Sequence, residues 1–465
     1  MSKINPVAGS FRDPGGQVFL KNNRVFRTVT KVAADDFDFV EKSGLVAKLE
    51  GRGQIVSSKK VSKTVFGSKI PNLHTVLEHE KIPFISYPYE WPVQQLRKAA
   101  ILQLDIMLLG LKHGVTLSDA SAYNFQFIGS RPVLIDRLSL VPYVEGEIWV
   151  GYRQFCEQFL FPLILAATFN FPYHSWYRGE LGGIPLASMA KLIPFSKRFS
   201  PGVFKHVILQ NLFQTKGQGL AKGDSAEGLK KIKLKREIFQ ANLESMKKLI
   251  SKLKLGSKAA SEWQNYDVDH SYDSEEEKAK IAFIQAFAKK TKPEILWDLG
   301  CNTGAYSEAA ITAGAGYVVG FDSDLGALAK ACQRAEKFNH PLLPLYMNLG
   351  NVSPNQGWNQ AEREGMAGRG PAGGLLALAL VHHLAIAGNI PLSQVIDWLV
   401  RMAPTGVIEF VPKNDDMVKS LLALREDIFS DYTADDFEKY LGARAKIVKK
   451  LVCSKSGRTL YWYKI

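Results

Sequence analysis

Ile295-Leu296-Trp297-Asp298-Leu299-Gly300-Cys301-Asn302-Thr303-Gly304 sets an apolar β-type run against a turn of small residues, and GAYSEAAITAG carries the chain on in a helical pattern. Glycines at such a turn let a ligand lie close to the backbone, and the helix behind it offers its unsatisfied N–H groups. The next β-type run, YVVGFD, ends in Asp322, 24 residues beyond Asp298. A carboxylate at the end of the second strand of a parallel sheet faces the same crevice and is placed to accept hydrogen bonds from ribose hydroxyls.

Outward from that turn, short β-type runs alternate with helical stretches: LGALAKACQRAEKF, LPLYMN, LLALALVHHL, LSQVIDWLVRM and GVIEF. This is the rhythm of a parallel α/β sheet. The chain ends in AKIVKKLVC, a SKSGR turn and TLYWYKI, which predicts a terminal antiparallel hairpin. Between Leu349 and Gly374 a stretch with seven glycines is too long for an ordinary connection and is expected to be functional or mobile. It contains SPNQGW (Ser353–Trp358), a candidate to close over substrate.

A dinucleotide site wants G-x-G-x-x-G, whereas this turn reads D-x-G-x-x-x-G. The pattern resembles motif I of the class I S-adenosylmethionine (SAM) dependent methyltransferases, and the terminal hairpin is similar to theirs. The resemblance covers about residues 263–465. It implies that Gly300 and Gly304 make room for the methionine part of SAM, that Asp298 lies near its amino group and that Asp322 holds the ribose. Asn302 stands where many members have Gly, and Asn tolerates φ > 0 better than most residues. Asn348, where many members have Asp, can still accept a bond from the adenine amino group. Trp263, Tyr266, His270 and Tyr272 precede the first strand; Tyr272 is expected beside the cofactor, whose sulfonium favours a π face.

His382 and His383 follow the fourth strand, where the family resemblance implies a position facing the methyl group. A neutral histidine there can take a proton from an acceptor hydroxyl or amine. On an extended segment successive side chains point to opposite sides, so one histidine is expected to act and the other to support. Glu409, ending VIEF, is the candidate to orient it.

The first half has a different texture. Asp119, Asn124 and Asp136 stand five and twelve residues apart, after a long apolar helical run. This spacing resembles the catalytic loop and metal-binding Asp of kinase-like and aminoglycoside-phosphotransferase-like folds, with IPFISYPYEW at the interlobe hinge. The resemblance implies Mg-ATP, yet no convincing Gly-rich loop or V-A-I-K lysine precedes it, and DRLS replaces D-F-G. The motifs taken together resemble a bacterial group of SAM-dependent methyltransferases that includes nodulation-type proteins.

The expected architecture is therefore α/β: a kinase-like α+β domain over 1–196, a basic helical linker over 197–262 and a Rossmann-like methyltransferase domain over 263–465. At 465 residues with 46% hydrophobic and 22% charged side chains, the chain is neither fibrous nor disordered. Its net charge of +14 is concentrated: residues 197–260 hold 15 Lys or Arg against 4 Asp or Glu, a net of +11. That segment could contact nucleic acid, making an RNA-binding methyltransferase one alternative and a bifunctional methyltransferase and kinase another. The favoured acceptor is a small molecule or glycan-type compound, methylated on oxygen or nitrogen. Four scattered cysteines indicate neither a zinc site nor disulfides and fit a cytoplasmic protein, and no transmembrane or signal segment is expected.

Overall fold

The computed structural model describes residues 5–65, 70, 72–147, 149–212, 235–255 and 274–465. It divides into two compact units, Met1–Ile82 with Ser86–Phe127 and Arg131–Lys258, and Pro83–Ile85 with Ile128–Ser130 and Ala259–Ile465.

In the first unit, β1 (Asn5–Pro6), β2 (Val18–Lys21), β3 (Arg24–Thr30), β4 (Ser58–Val61) and β5 (Leu73–His79) form an antiparallel sheet in the order β1-β2-β3-β5-β4. The 20-residue helix Val93–Lys112 follows, buried along Leu96, Leu104, Ile106 and Leu111. Beyond it, β6 (Val115–Leu117) pairs with β9 (Leu140–Pro142), and β7 (Phe125–Ile128) with β8 (Arg131–Leu134). The segment expected to be a linker contains the helix Arg236–Lys252, which packs on Val93–Lys112 through its inward row Phe239, Leu243, Met246 and Ile250. Four apolar residues at spacings of three and four supply one continuous stripe, so the helix is held by burial and not left as a free spacer.

In the second unit, β10 (Ile295–Leu299), β11 (Tyr317–Asp322), β12 (Leu342–Tyr346), β13 (Gly374–Ala377), β14 (Thr405–Phe410), β15 (Lys446–Val452) and β16 (Thr459–Lys464) form one sheet in the order β12-β11-β10-β13-β14-β16-β15. The first five are parallel; β16 runs antiparallel to β14 and to β15. Almost every residue of β10, β11, β13 and β14 is buried, as a sheet covered by helices on both faces requires. Ile284 and Phe287 of the helix Ser274–Thr291 join Leu296, Val318, Leu342, Leu376, Val407 and Leu460 in the core on one face. The strand order reverses between β10 and β13, and the ligand crevice of an open α/β sheet lies at that switch point, outside the carboxyl ends.

Candidate active site

The turn after β10 is held by backbone bonds. Gly300 and Cys301 both donate their N–H to the Phe321 carbonyl, at 2.8 and 3.0 Å. Gly300 has φ +81° and Gly304 φ +78°, values that favour glycine. Asn302 takes φ +47°, in the left-handed region that Asn enters at low cost. The two glycines then differ. A Cβ at Gly300 would meet only the Leu378 carbonyl, at 3.8 Å, whereas one at Gly304 would sit 3.1 Å from Leu342 Cδ2. Gly300 therefore opens the crevice, and Gly304 lets the helix Ala305–Thr312 pack closely on the sheet.

Asp322 ends β11 with each carboxylate oxygen anchored: Oδ2 accepts the Asn302 N–H at 2.8 Å and Oδ1 accepts the Asp324 N–H at 2.9 Å. Each oxygen keeps a second lone pair for a ligand. Burial pushes this carboxyl above its ordinary range, against the two backbone N–H bonds that favour its charge. Beside it, Asn302 Oδ1 is buried and accepts no hydrogen bond among the described residues. A buried acceptor without a donor is costly, so a ligand donor is its natural complement.

These groups border a cavity of about 380 Å³ that is also lined by Tyr306, Met347, Asn348, Leu378, His383, Lys280 and Glu409. Its size lies in the usual range for small-molecule sites, about 300–1,000 Å³. Asn348 lines it with its side-chain oxygen turned back to accept the Gly350 N–H at 2.9 Å. Of the glycine-rich stretch only Leu349 and Gly350 border the cavity; SPNQGW does not, and Trp358 is two-thirds exposed.

Three expectations change here. Asp298 is 1% exposed and does not line the cavity; its Oδ2 accepts from Ser307 Oγ at 2.6 Å. It ties the strand to the following helix, since alternation along β10 turns this side chain beneath the turn. Burial pushes its carboxyl up to about 7. His382 and His383 stand on a helical turn and not on an extended segment, with ring centroids 4.2 Å apart. His383 lines the cavity; His382 lies behind it, 1% exposed, and neither ring nitrogen has a hydrogen-bond partner among the described residues. Burial lowers both imidazole pKa values, that of His382 strongly, so both rings are neutral near pH 7. Glu409 makes no hydrogen bond to His382; its Oε1 accepts from Lys280 Nζ at 2.6 Å and its Oε2 from the Ala379 N–H at 2.9 Å. Tyr272 lies outside the described residues.

Lys280 is the wall residue that the sequence reading missed. It comes from an acidic-to-basic helix, SEEEKAKIAF, in which nothing local separates it from its solvated neighbours, and its partner is 129 residues away. Among the described residues no group of three or more His, Cys, Asp or Glu is arranged to hold a metal ion.

No family model matches the chain. It is 41% identical over 457 residues to the nodulation protein NoeA of Rhizobium meliloti (strain 1021), covering 98% of this chain and 95% of that one. Among solved structures, the chain is similar to magnesium protoporphyrin IX methyltransferase ChlM from Synechocystis PCC 6803 with bound SAM (18% identity, 47% of this chain and 97% of that chain, TM-score 0.31). It is also similar to the N-methyltransferase NodS from Bradyrhizobium japonicum WM9 in complex with S-adenosyl-L-homocysteine (14% identity, 44% and 93%, TM-score 0.32). With five parallel strands closed by a reversed terminal hairpin and a glycine turn facing a strand-end carboxylate, the second unit has the strand order expected of a class I methyltransferase fold, and the chain belongs to the family of the nodulation protein NoeA.

Proposed function

We propose that the chain transfers a methyl group from SAM to an oxygen or nitrogen of a small-molecule or glycan-type acceptor. The observation that carries this reading is the division of one cavity into two chemically different walls. On one side, Asp322 with spare lone pairs and the unpaired Asn302 Oδ1 suit the hydroxyl and ammonium donors of SAM. On the other, His383, beyond the end of β13, stands with Glu409 near the end of β14 and its partner Lys280. Bound SAM supplies an electrophilic methyl, and the protein's task is to position the acceptor, exclude water and take a proton. Neutral His383 is the group suited to that proton. Isothermal titration with SAM tests the reading: saturable heat is expected, and no heat at millimolar ligand overturns it.

We read the first unit as kinase-like and inactive in phosphoryl transfer. Along the chain a small antiparallel sheet, the IPFISYPYEW stretch, of which Pro83–Ile85 belong to the second unit, and a mainly helical part follow in the order that resemblance requires. Asp119 accepts from Asn124 Nδ2 at 3.0 Å, so the two motif residues do meet. Asp136, however, is paired at 2.9 Å with Arg27, a 6%-exposed guanidinium that also binds Asp13. An internal cation thus neutralises the carboxylate that a magnesium ion would need. A coupled assay for ATP turnover checks this, with none expected. Much of the basic segment 197–260 lies outside the described residues, and nothing in its described part favours the RNA reading over the small-molecule one.

A further inference from the structure

We propose that the first unit rests on an anionic lipid surface through the segment Leu192–Phe204, with Phe195 and Phe199 inserted among the acyl chains. Three observations converge on it. First, the segment turns phenylalanines outward while it is anchored from within. Phe195 is 73% exposed, Phe199 66% and Phe204 42%, while Ile193, Val203 and Val207 beside them are buried. The Phe195 and Phe199 rings meet edge to face with centroids 5.4 Å apart, so the two form one apolar knob. Single exposed apolar residues are ordinary, but adjoining exposed aromatics on a well-anchored backbone mark an interaction surface.

Second, the charge along the segment has one sign. From Leu181 to Gly223 the sequence contains no Asp or Glu and six Lys or Arg, four of them (Lys191, Lys197, Arg198 and Lys205) among the described residues. Basic side chains can reach anionic headgroups while the rings between them enter the interface, the arrangement by which a protein lies on a bilayer without crossing it. Third, among the described residues no helix is long and apolar enough to span a membrane, so contact here would be interfacial.

A single-stranded nucleic acid would also meet a basic, aromatic surface. The exposed apolar side chains are hydrocarbon throughout, however, and the phenylalanines come with Leu192, which is 43% exposed and offers a base nothing to stack on. Between Leu192 and Phe204 there is no Tyr, Trp, Asn or Gln to reach base edges, which matches acyl chains better.

The test is co-flotation of the full-length protein with vesicles of phosphatidylcholine alone or mixed with phosphatidylglycerol. Binding is expected to the mixed vesicles, to weaken as ionic strength rises, and to fall about tenfold or more in Phe195→Ser/Phe199→Ser, given the transfer free energy of two phenyl rings. Wild-type protein that stays with neither vesicle, or a double variant that binds as well as wild type, overturns the proposal. Retention of polyuridylate that the double variant loses, without vesicle binding, assigns the surface to nucleic acid and likewise overturns it. Phe199→Trp keeps the test independent of the double variant's folding: its fluorescence should shift to the blue on adding mixed vesicles, and no shift counts against insertion. SAM titration of the same variants should match wild type, because these residues are remote in sequence from the cofactor turn and do not line its cavity.

Discussion

Lys280 Nζ donates to Glu409 Oε1 at 2.6 Å, with the two side chains 1% and 0% exposed, at the wall of the cavity. Desolvating two charges is expensive, and their mutual attraction repays it only while both remain. Lys280→Met leaves Glu409 as a buried carboxylate without its cation, so a loss of about 3–5 kcal/mol is expected. Lys280→Met/Glu409→Gln should recover much of that loss, because the neutral amide can still accept the Ala379 N–H. Thermal unfolding of the three proteins checks the order: wild type, then the double variant, then Lys280→Met. A double variant less stable than the single one would show that the pair is not the stabilising unit.

Asp322 is held by two backbone N–H groups, so its geometry does not depend on the ligand. Asp322→Ala should weaken SAM binding by at least tenfold, the loss of about 1.4 kcal/mol or more expected from hydrogen bonds to a charged group. Asp322→Asn retains one acceptor oxygen and should lie between the two. Titration calorimetry measures both, and unchanged affinity in Asp322→Ala would remove the ribose assignment.

The sheet and its glycine turn were legible in the sequence because both are local: the alternation of β-type and helical runs marks the strands, and two glycines with a following carboxylate mark the turn beside the cavity. The terminal hairpin was legible for the same reason. What the sequence concealed depends on long-range placement. Lys280 resembles its solvated neighbours until the helix Ser274–Thr291 is laid against β14, and Arg27 becomes the counter-ion of Asp136 only when β3 meets the loop after β8. The two histidines follow β13 as the sequence predicts, but on a helical turn and not an extended segment. Ala379 at φ +47°, bonded to Glu409, turns the chain into a helical turn there, and no sequence signal marks an alanine for that conformation.

Arg27 sits between Asp13 and Asp136, and burial raises the Asp136 carboxyl while Arg27 lowers it. Arg27→Met should destabilise the first unit by a few kcal/mol by leaving two carboxylates without their shared cation. Differential scanning calorimetry should show unfolding of the first unit moving to lower temperature while SAM affinity is unchanged. A variant with wild-type unfolding would show that the guanidinium is not the structural cation of this site.

Asp298 predicts a pH dependence of stability with a definite sign. Its carboxyl is pushed up to about 7 in the folded protein by burial, with Ser307 partly offsetting the shift, against about 3.9 for an unperturbed Asp. Between those values the folded state binds a proton that the unfolded state has released, so this group's contribution to stability falls as pH rises from about 4 to 7 and levels off above. Asp298→Asn, which can still accept from Ser307 Oγ, should flatten that slope. Denaturant midpoints at pH 5 and pH 8 for both proteins give the comparison, and equal slopes would place the titration elsewhere.

His383 lines the cavity while His382 lies behind it with two unpaired ring nitrogens, and this geometry assigns different outcomes to the two. Replacing a buried group that makes no hydrogen bond by an apolar one removes a desolvation cost without breaking a hydrogen bond. His382→Leu should therefore unfold no earlier than wild type and keep methyl-transfer activity. His383→Asn should lower the transfer rate by about two to four orders of magnitude, the usual worth of a positioned base, with SAM affinity unchanged. Burial lowers the His383 pKa, so the ring stays neutral below the ordinary histidine value of about 6.5. The decline of wild-type turnover on the acid side, as the ring gains a proton, should accordingly have its midpoint below the ordinary histidine value. If turnover of His383→Asn on an accepted substrate equals wild type, the proton leaves by another route, and an acceptor that is already a free amine or thiolate becomes the better reading.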